Sequence, residues 1–190
     1  MKPIPELNSM CDAALAKGIF GTKMRSVINF ANKEGIKAIV EQQFTIGKQI
    51  MAKGLVPILE PEVNIKSPEK AEAETLLRAE LIENLKILRD DQKLMLKLTL
   101  SDVDDLYEQL IEHPNVVRVV ALSGGYSRAV ANDILARQHG VVASFSRALT
   151  EGLRVDLTDA EFDAMLDNSI EEIFQASKAS GVKKELHSHK

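Results

Sequence analysis

A chain of 190 residues, 45% hydrophobic and 27% charged, suits one domain able to bury a core. A net charge of −4 argues against a general nucleic-acid or anionic-membrane surface, so neither partner is expected. The single cysteine, Cys11, cannot form an intrachain disulfide, and no apolar run nears the roughly 20 residues that span a bilayer.

The start after Met1 is polar and broken by proline, without a signal-peptide pattern, so a cytoplasmic location is expected. "NSMCDAALAKG" (8–18) reads as a helix that places Cys11 in the core rather than at a reactive surface. Short apolar strings follow: "IFGTKMR" (19–25), "VPILEPEV" (56–63), "LMLKLTL" (94–100), "VVRVVAL" (116–122) and "VVASFSR" (141–147). Each is short enough for a strand. Between the first two, residues 34–54 carry apolar side chains at helical spacing and stop at Gly54. Ser67 and Pro68 predict the N-cap and first turn of a helix running through residue 88. Ser101 with Asp104, and Thr158 with Glu161, have capping-box spacing. The last helix, 160–179, ends at Gly181 and leaves a polar tail over 181–190. Five βα repeats predict a single α/β domain over 1–180, a parallel sheet covered by helices. An open doubly wound sheet and part of a TIM (β/α)8 barrel both fit.

Strand faces show where the charges go, because residues i and i+2 share a face. In 94–100 the leucines Leu94, Leu96, Leu98 and Leu100 share one face, and Met95, Lys97 and Thr99 the other. In 19–25, Lys23 and Arg25 share a face; in 56–63, Glu60 and Glu62 do. Three strands thus turn from apolar to charged near their C-terminal ends. A buried core penalises that pattern, whereas a barrel mouth collects catalytic groups from several strand ends. The plainer alternative is a structural ion-pair network among Lys23, Arg25, Glu60, Glu62 and Lys97. Ser123, Gly124 and Gly125 stand at the end of the next strand, where glycines let backbone N–H groups approach an anion. Arg147, at the end of the last string, supplies a cation for the same anion.

A lysine attacks a carbonyl carbon only when neutral, and a neighbouring cation such as Lys23 or Arg25 favours that form. A nearby carboxylate, Glu60 or Glu62, can serve as acid and then base for imine formation. The residues by themselves point to a lysine-imine enzyme acting on a phosphorylated ketone.

"GTKMRS", "VPILEPEVN", "LMLKLTL", "HPNVVRVVALSGGYSR" and "SFSRAL", in this order, resemble the class I (Schiff-base) fructose-bisphosphate aldolases, bacterial branch, over nearly all of 1–180. The resemblance implies a lyase of glycolysis. It would reversibly cleave fructose 1,6-bisphosphate to dihydroxyacetone phosphate and glyceraldehyde 3-phosphate. It implies Lys97 as the Schiff-base lysine, Glu60 as acid/base, Glu62 beside it and Lys23 assisting the imine steps. Arg25 would meet the remote phosphate; Ser123, Gly124, Gly125, the Ser146 backbone and Arg147 would hold the phosphate next to the ketone. No metal or cofactor is implied. The family has eight strands, and this chain resembles the fourth to the eighth. The family's aspartate on the first strand and lysine on the third have no counterpart here, nor does the C-terminal tyrosine of the animal enzymes. A fragment of a longer product, or a chain completed by a second copy, is therefore expected. The alternatives are a sugar-phosphate-binding remnant with little or no activity, or another lysine-imine barrel of transaldolase or deoxyribose-phosphate aldolase type.

Other residues are read as structural. His113 is expected to cap a helix, His139 to lie at the surface, and His187 and His189 to sit in the tail. "EKAEAE" (69–74) is read as a solvated helix face, and Phe44, Phe145, Phe162 and Phe174 as core.

Overall fold

The computed structural model describes residues 2–181, so the expected tail, with His187 and His189, lies outside the described residues except for Gly181. Along these residues run α1 (Leu7–Ala16), β1 (Gly21–Ile28), α2 (Lys33–Ala52), β2 (Val56–Val63), α3 (Lys70–Leu85) and β3 (Leu94–Thr99). Then come α4 (Glu108–Ile111), β4 (Val116–Leu122), α5 (Arg128–Leu135), β5 (Val141–Ala143) and α6 (Asp159–Gly181). The strands form one parallel sheet in the order β1-β2-β3-β4-β5. Every new strand adds on the same side as the one before. A doubly wound sheet reverses at a switch point, and this one does not, so the winding is that of a TIM barrel. No helix among the described residues is long and apolar enough to cross a membrane.

The leucine face of β3 is core, as its period predicts: Leu94, Leu96, Leu98 and Leu100 are all buried. Pro57 and Leu59 of β2 face Gly47 of α2, so the helices cover the side opposite to Ile58, Glu60 and Glu62. Cys11 and Phe44 join the same core. The β2–β3 ladder pairs only Ile58 with Met95 and Leu59 with Leu96. Beyond it, Thr99 Oγ1 donates to Val63 O at 2.8 Å and accepts from Val63 N at 2.9 Å, tying the two strand ends.

Several elements depart from the pattern reading. β1 begins at Gly21 and runs to Ile28, because its full length pairs with β2, from Gly21 opposite Val56 to Ile28 opposite Val63. β5 is only three residues long, its ladder ending where Ala143 meets Ala121. Residues Ser144 to Arg147 are therefore a loop, not strand. α3 begins at Lys70 rather than at Pro68: Ser67 Oγ accepts from Glu69 N and caps the turn before the helix. Ser101 Oγ accepts from Val103 N, and no helix starts until the four residues of α4. The box at α6 is complete, with Glu161 N donating to Thr158 Oγ1 and Thr158 N donating to Glu161 Oε2. Phe162 and Phe174 are exposed on α6, where Lys178 lies over the Phe174 ring, so they are not core. His113 Nδ1 accepts from Asn115 N beyond α4, and His139 is held by both oxygens of Asp105 rather than standing free at the surface.

Candidate functional site

The parallel register brings the predicted charges together. Arg25 lies opposite Glu60 and Val27 opposite Glu62, which sets Lys23 diagonal to Glu60 and Arg25 diagonal to Glu62. Continuing the β2–β3 register by one step sets Lys97 opposite Glu60. The side chains follow the backbone. Lys23 Nζ is 2.7 Å from Glu60 Oε2, and Lys97 Nζ is 3.3 Å from Glu60 Oε1. One carboxylate thus stands between two ammonium groups. Oε2 has no aligned hydrogen bond, so its attraction to Lys23 is a charge contact, open to rearrangement.

Burial is uneven across this cluster. The Glu60 side chain is 4% exposed, Lys97 18% and Lys23 45%. The acid is held in the sheet while the amines are more exposed, Lys97 lining a cleft. Arg25 Nε donates to Glu62 Oε2 at 2.6 Å, and this hydrogen bond, followed by the charge of Glu62, raises the Arg25 guanidinium above its ordinary value. The ion-pair network weighed as the plainer alternative therefore exists. It differs from a structural network in lining a cleft of about 340 Å³.

The cleft is walled by Arg25, Glu60, Glu62 and Lys97 on one side, and by Ser123, Gly124, Ser146 and Arg147 on the other, with Leu122 and Ser144 between them. The second wall begins at the end of β4. Tyr126 N donates to Ser123 O at 2.9 Å and closes a tight turn. Its central residues, Gly124 and Gly125, have φ of +64° and +112°. Both angles favour glycine, and a Cβ on Gly124 would also lie 2.6 Å from Ile65 Cγ2. Gly125 is close to Arg147: a Cβ there would be 3.4 Å from Arg147 Nη1. Arg147 reaches the cleft from a loop rather than from a strand end. The cleft wall thus includes eight of the ten predicted site residues; Lys23 touches it through Glu60, and Gly125 through Arg147.

Sequence reasoning missed Ser144. It stands two residues before Ser146 in "SFSR", but residues 144–147 form a loop, so strand alternation could not place it. It also missed a buried cluster beside the site, built around Lys70 and Glu74. Among the described residues, no group of three or more His, Cys, Asp and Glu side chains is placed to hold a metal ion. A buried acid between two amines, facing a glycine turn and an arginine, has the groups that proton transfer and imine chemistry on a phosphorylated carbonyl compound require.

No protein-family model matches the chain. The fructose-bisphosphate aldolase class 1 of Synechocystis sp. is 62% identical over 177 residues, 93% of this chain and 59% of that protein. The enzyme of the same name from Porphyromonas gingivalis is 59% identical over 177 residues, 93% of this chain and 60% of its own length. The chain spans about three fifths of the length of these curated relatives. A solved structure of fructose-bisphosphate aldolase from Plasmodium falciparum matches with a TM-score of 0.66 at 20% identity, over 92% of this chain and 60% of that one, a likeness of fold.

Proposed function

We propose a function from one premise: over 93% of its length this chain is a relative of the class 1 fructose-bisphosphate aldolases. It contributes the imine-forming half of that reaction, the reversible cleavage of fructose 1,6-bisphosphate to dihydroxyacetone phosphate and glyceraldehyde 3-phosphate. The observation that carries this reading is Glu60, buried, with one oxygen 3.3 Å from Lys97 Nζ and the other 2.7 Å from Lys23 Nζ.

Glu60 takes a proton from the Lys97 ammonium, and the neutral amine adds to the ketone carbon C2. Proton exchange turns the adduct into a neutral carbinolamine. Glu60 returns its proton to the carbinolamine hydroxyl, which leaves as water and creates an iminium. The ionised Glu60 then accepts the proton of the C4 hydroxyl. The C3–C4 bond breaks, its electron pair moves toward the iminium, and the aldehyde departs from an enamine. Glu60 returns that proton to C3, and water hydrolyses the imine. Lys23 supports the charge on Glu60 during these transfers, and Glu62 holds Arg25 for the remote phosphate. Ser123, Gly124, Gly125, the Ser146 backbone and Arg147 hold the phosphate next to the ketone.

Glu60→Gln keeps the shape and removes the proton carrier. It is expected to slow triose phosphate release from fructose 1,6-bisphosphate by about a hundredfold to ten-thousandfold. A coupled dehydrogenase assay measures this. A variant as fast as the parent chain would refute the assignment, as would a parent chain with no cleavage where a full-length relative turns over.

A further inference from the structure

A second charged cluster lies beside the cleft. Lys70, in the first turn of α3, is 5% exposed, and Glu74, one turn on, is fully buried. Lys70 Nζ is 2.8 Å from Glu74 Oε1 and 3.1 Å from Asp102 Oδ1, and it donates to Leu100 O at 2.9 Å. The Tyr126 hydroxyl lies within reach of the same charge. These partners belong to three different segments. Leu100 is three residues beyond Lys97, and Asp102 follows it. Tyr126 immediately follows Gly125 in the anion-binding turn. A single ammonium is therefore bound to the exit of the lysine strand and lies beside the turn that faces it.

The segment leading into α3 touches the same turn from another side. Ile65 stands where a Cβ on Gly124 would be, at 2.6 Å, and its Cδ1 is 3.6 Å from the corresponding point on Gly125. Residues 64–70 follow directly on β2, the strand of Glu60 and Glu62. Hence one short stretch spaces the acid strand, the lysine strand and the glycine turn. Burial of an ion pair is costly unless its geometry is well satisfied. Burial by itself would lower the Lys70 ammonium, and the close carboxylates of Glu74, then of Asp102, outweigh it and keep it raised.

We propose that Lys70 is a positioning residue that sets the distance between Lys97 and the Ser123–Gly125 turn, and so the fit of a ketone carrying a phosphate. The inference rests on the function proposed above. It concerns the phosphate end only, so a ketone without phosphate should not sense the loss.

The test uses the full chain with Lys70→Met, and with Lys70→Met/Glu74→Leu, whose paired removal leaves no lone buried charge. Borohydride trapping is measured against the concentration of dihydroxyacetone phosphate and, separately, of dihydroxyacetone. In the variants that fold, half-saturation by the phosphate ester should rise about tenfold, while trapping by dihydroxyacetone stays within about twofold. An equal change for both ketones, or no change for either, overturns the proposal. Should the parent chain trap neither ketone, the reading of Lys97 fails. Titration of inorganic phosphate followed by phosphorus NMR then decides: weaker binding in the variants supports the positioning role, and unchanged binding overturns it.

Discussion

At the residue scale, Glu60 and Arg147 sit in opposite settings. Glu60 is enclosed and charge-coupled to two amines, a setting that suits its proposed role of moving a proton. Arg147 is exposed on a loop at the far wall, a setting that suits its proposed role of meeting a ligand anion. A charge-assisted hydrogen bond is worth about 1.5–3 kcal/mol. Arg147→Ala should therefore weaken dihydroxyacetone phosphate binding by about tenfold to a hundredfold, with little change in thermal stability. Calorimetric titration checks this, and unchanged affinity would remove Arg147 from the site. Much of the site was legible from residue pattern alone. Alternation along 56–63 and 94–100 put Glu60, Glu62 and Lys97 on one side, and a parallel register then had to bring them together. Arg147 is legible as a cation in the sequence, but its place on a loop is not. The ladder that would have made it a strand stops at Ala143, and that depends on the neighbouring strand, not on residues 141–147 themselves.

At the element scale, α3 holds the largest departure from the pattern reading. A run such as "EKAEAE" looks solvated because charged residues seldom leave water. Lys70 and Glu74 are buried because β3 exits over them and supplies Leu100 O, with Asp102 close behind. Partners 26 to 32 residues away along the chain cannot be read from a helix's own period. The prediction is non-additive. Lys70→Met or Glu74→Leu should each cost about 3–5 kcal/mol, whereas the double variant should recover most of that loss. Urea unfolding of the four proteins measures it; strictly additive losses would contradict the buried pair. The same elements set behaviour in alkali. Lys70 is raised above 10.5, and burial, aided by the charges of Glu74 and Asp102, raises the Tyr107 hydroxyl well above 10.0. Groups raised in the folded state stabilise it below their ordinary values, and that stability is lost as pH climbs through the folded ones. The urea midpoint should hold to about pH 10 and fall beyond it; a midpoint constant to about pH 12 would contradict this.

At the scale of the whole molecule, strand order does the sorting. Alternating strands and helices were compatible with two windings, and the sequential order β1-β2-β3-β4-β5 leaves the barrel type. Charges at the ends of β1, β2 and β3, together with the loops after β4 and β5, then meet in one cleft. This is the arrangement in which barrels place their chemistry. The strand count and the face of each strand were legible because both follow from short-range periodicity. The order of strands was not, since it depends on contacts between segments far apart in the chain. The molecule as a whole therefore stands or falls on whether this cleft forms a covalent bond to a ketone. The direct measurement is borohydride reduction in the presence of dihydroxyacetone phosphate, followed by mass mapping of peptides. The account predicts a stable substrate adduct on Lys97, lost in Lys97→Met. A folded chain that gains no adduct, or gains it on another lysine, would contradict it.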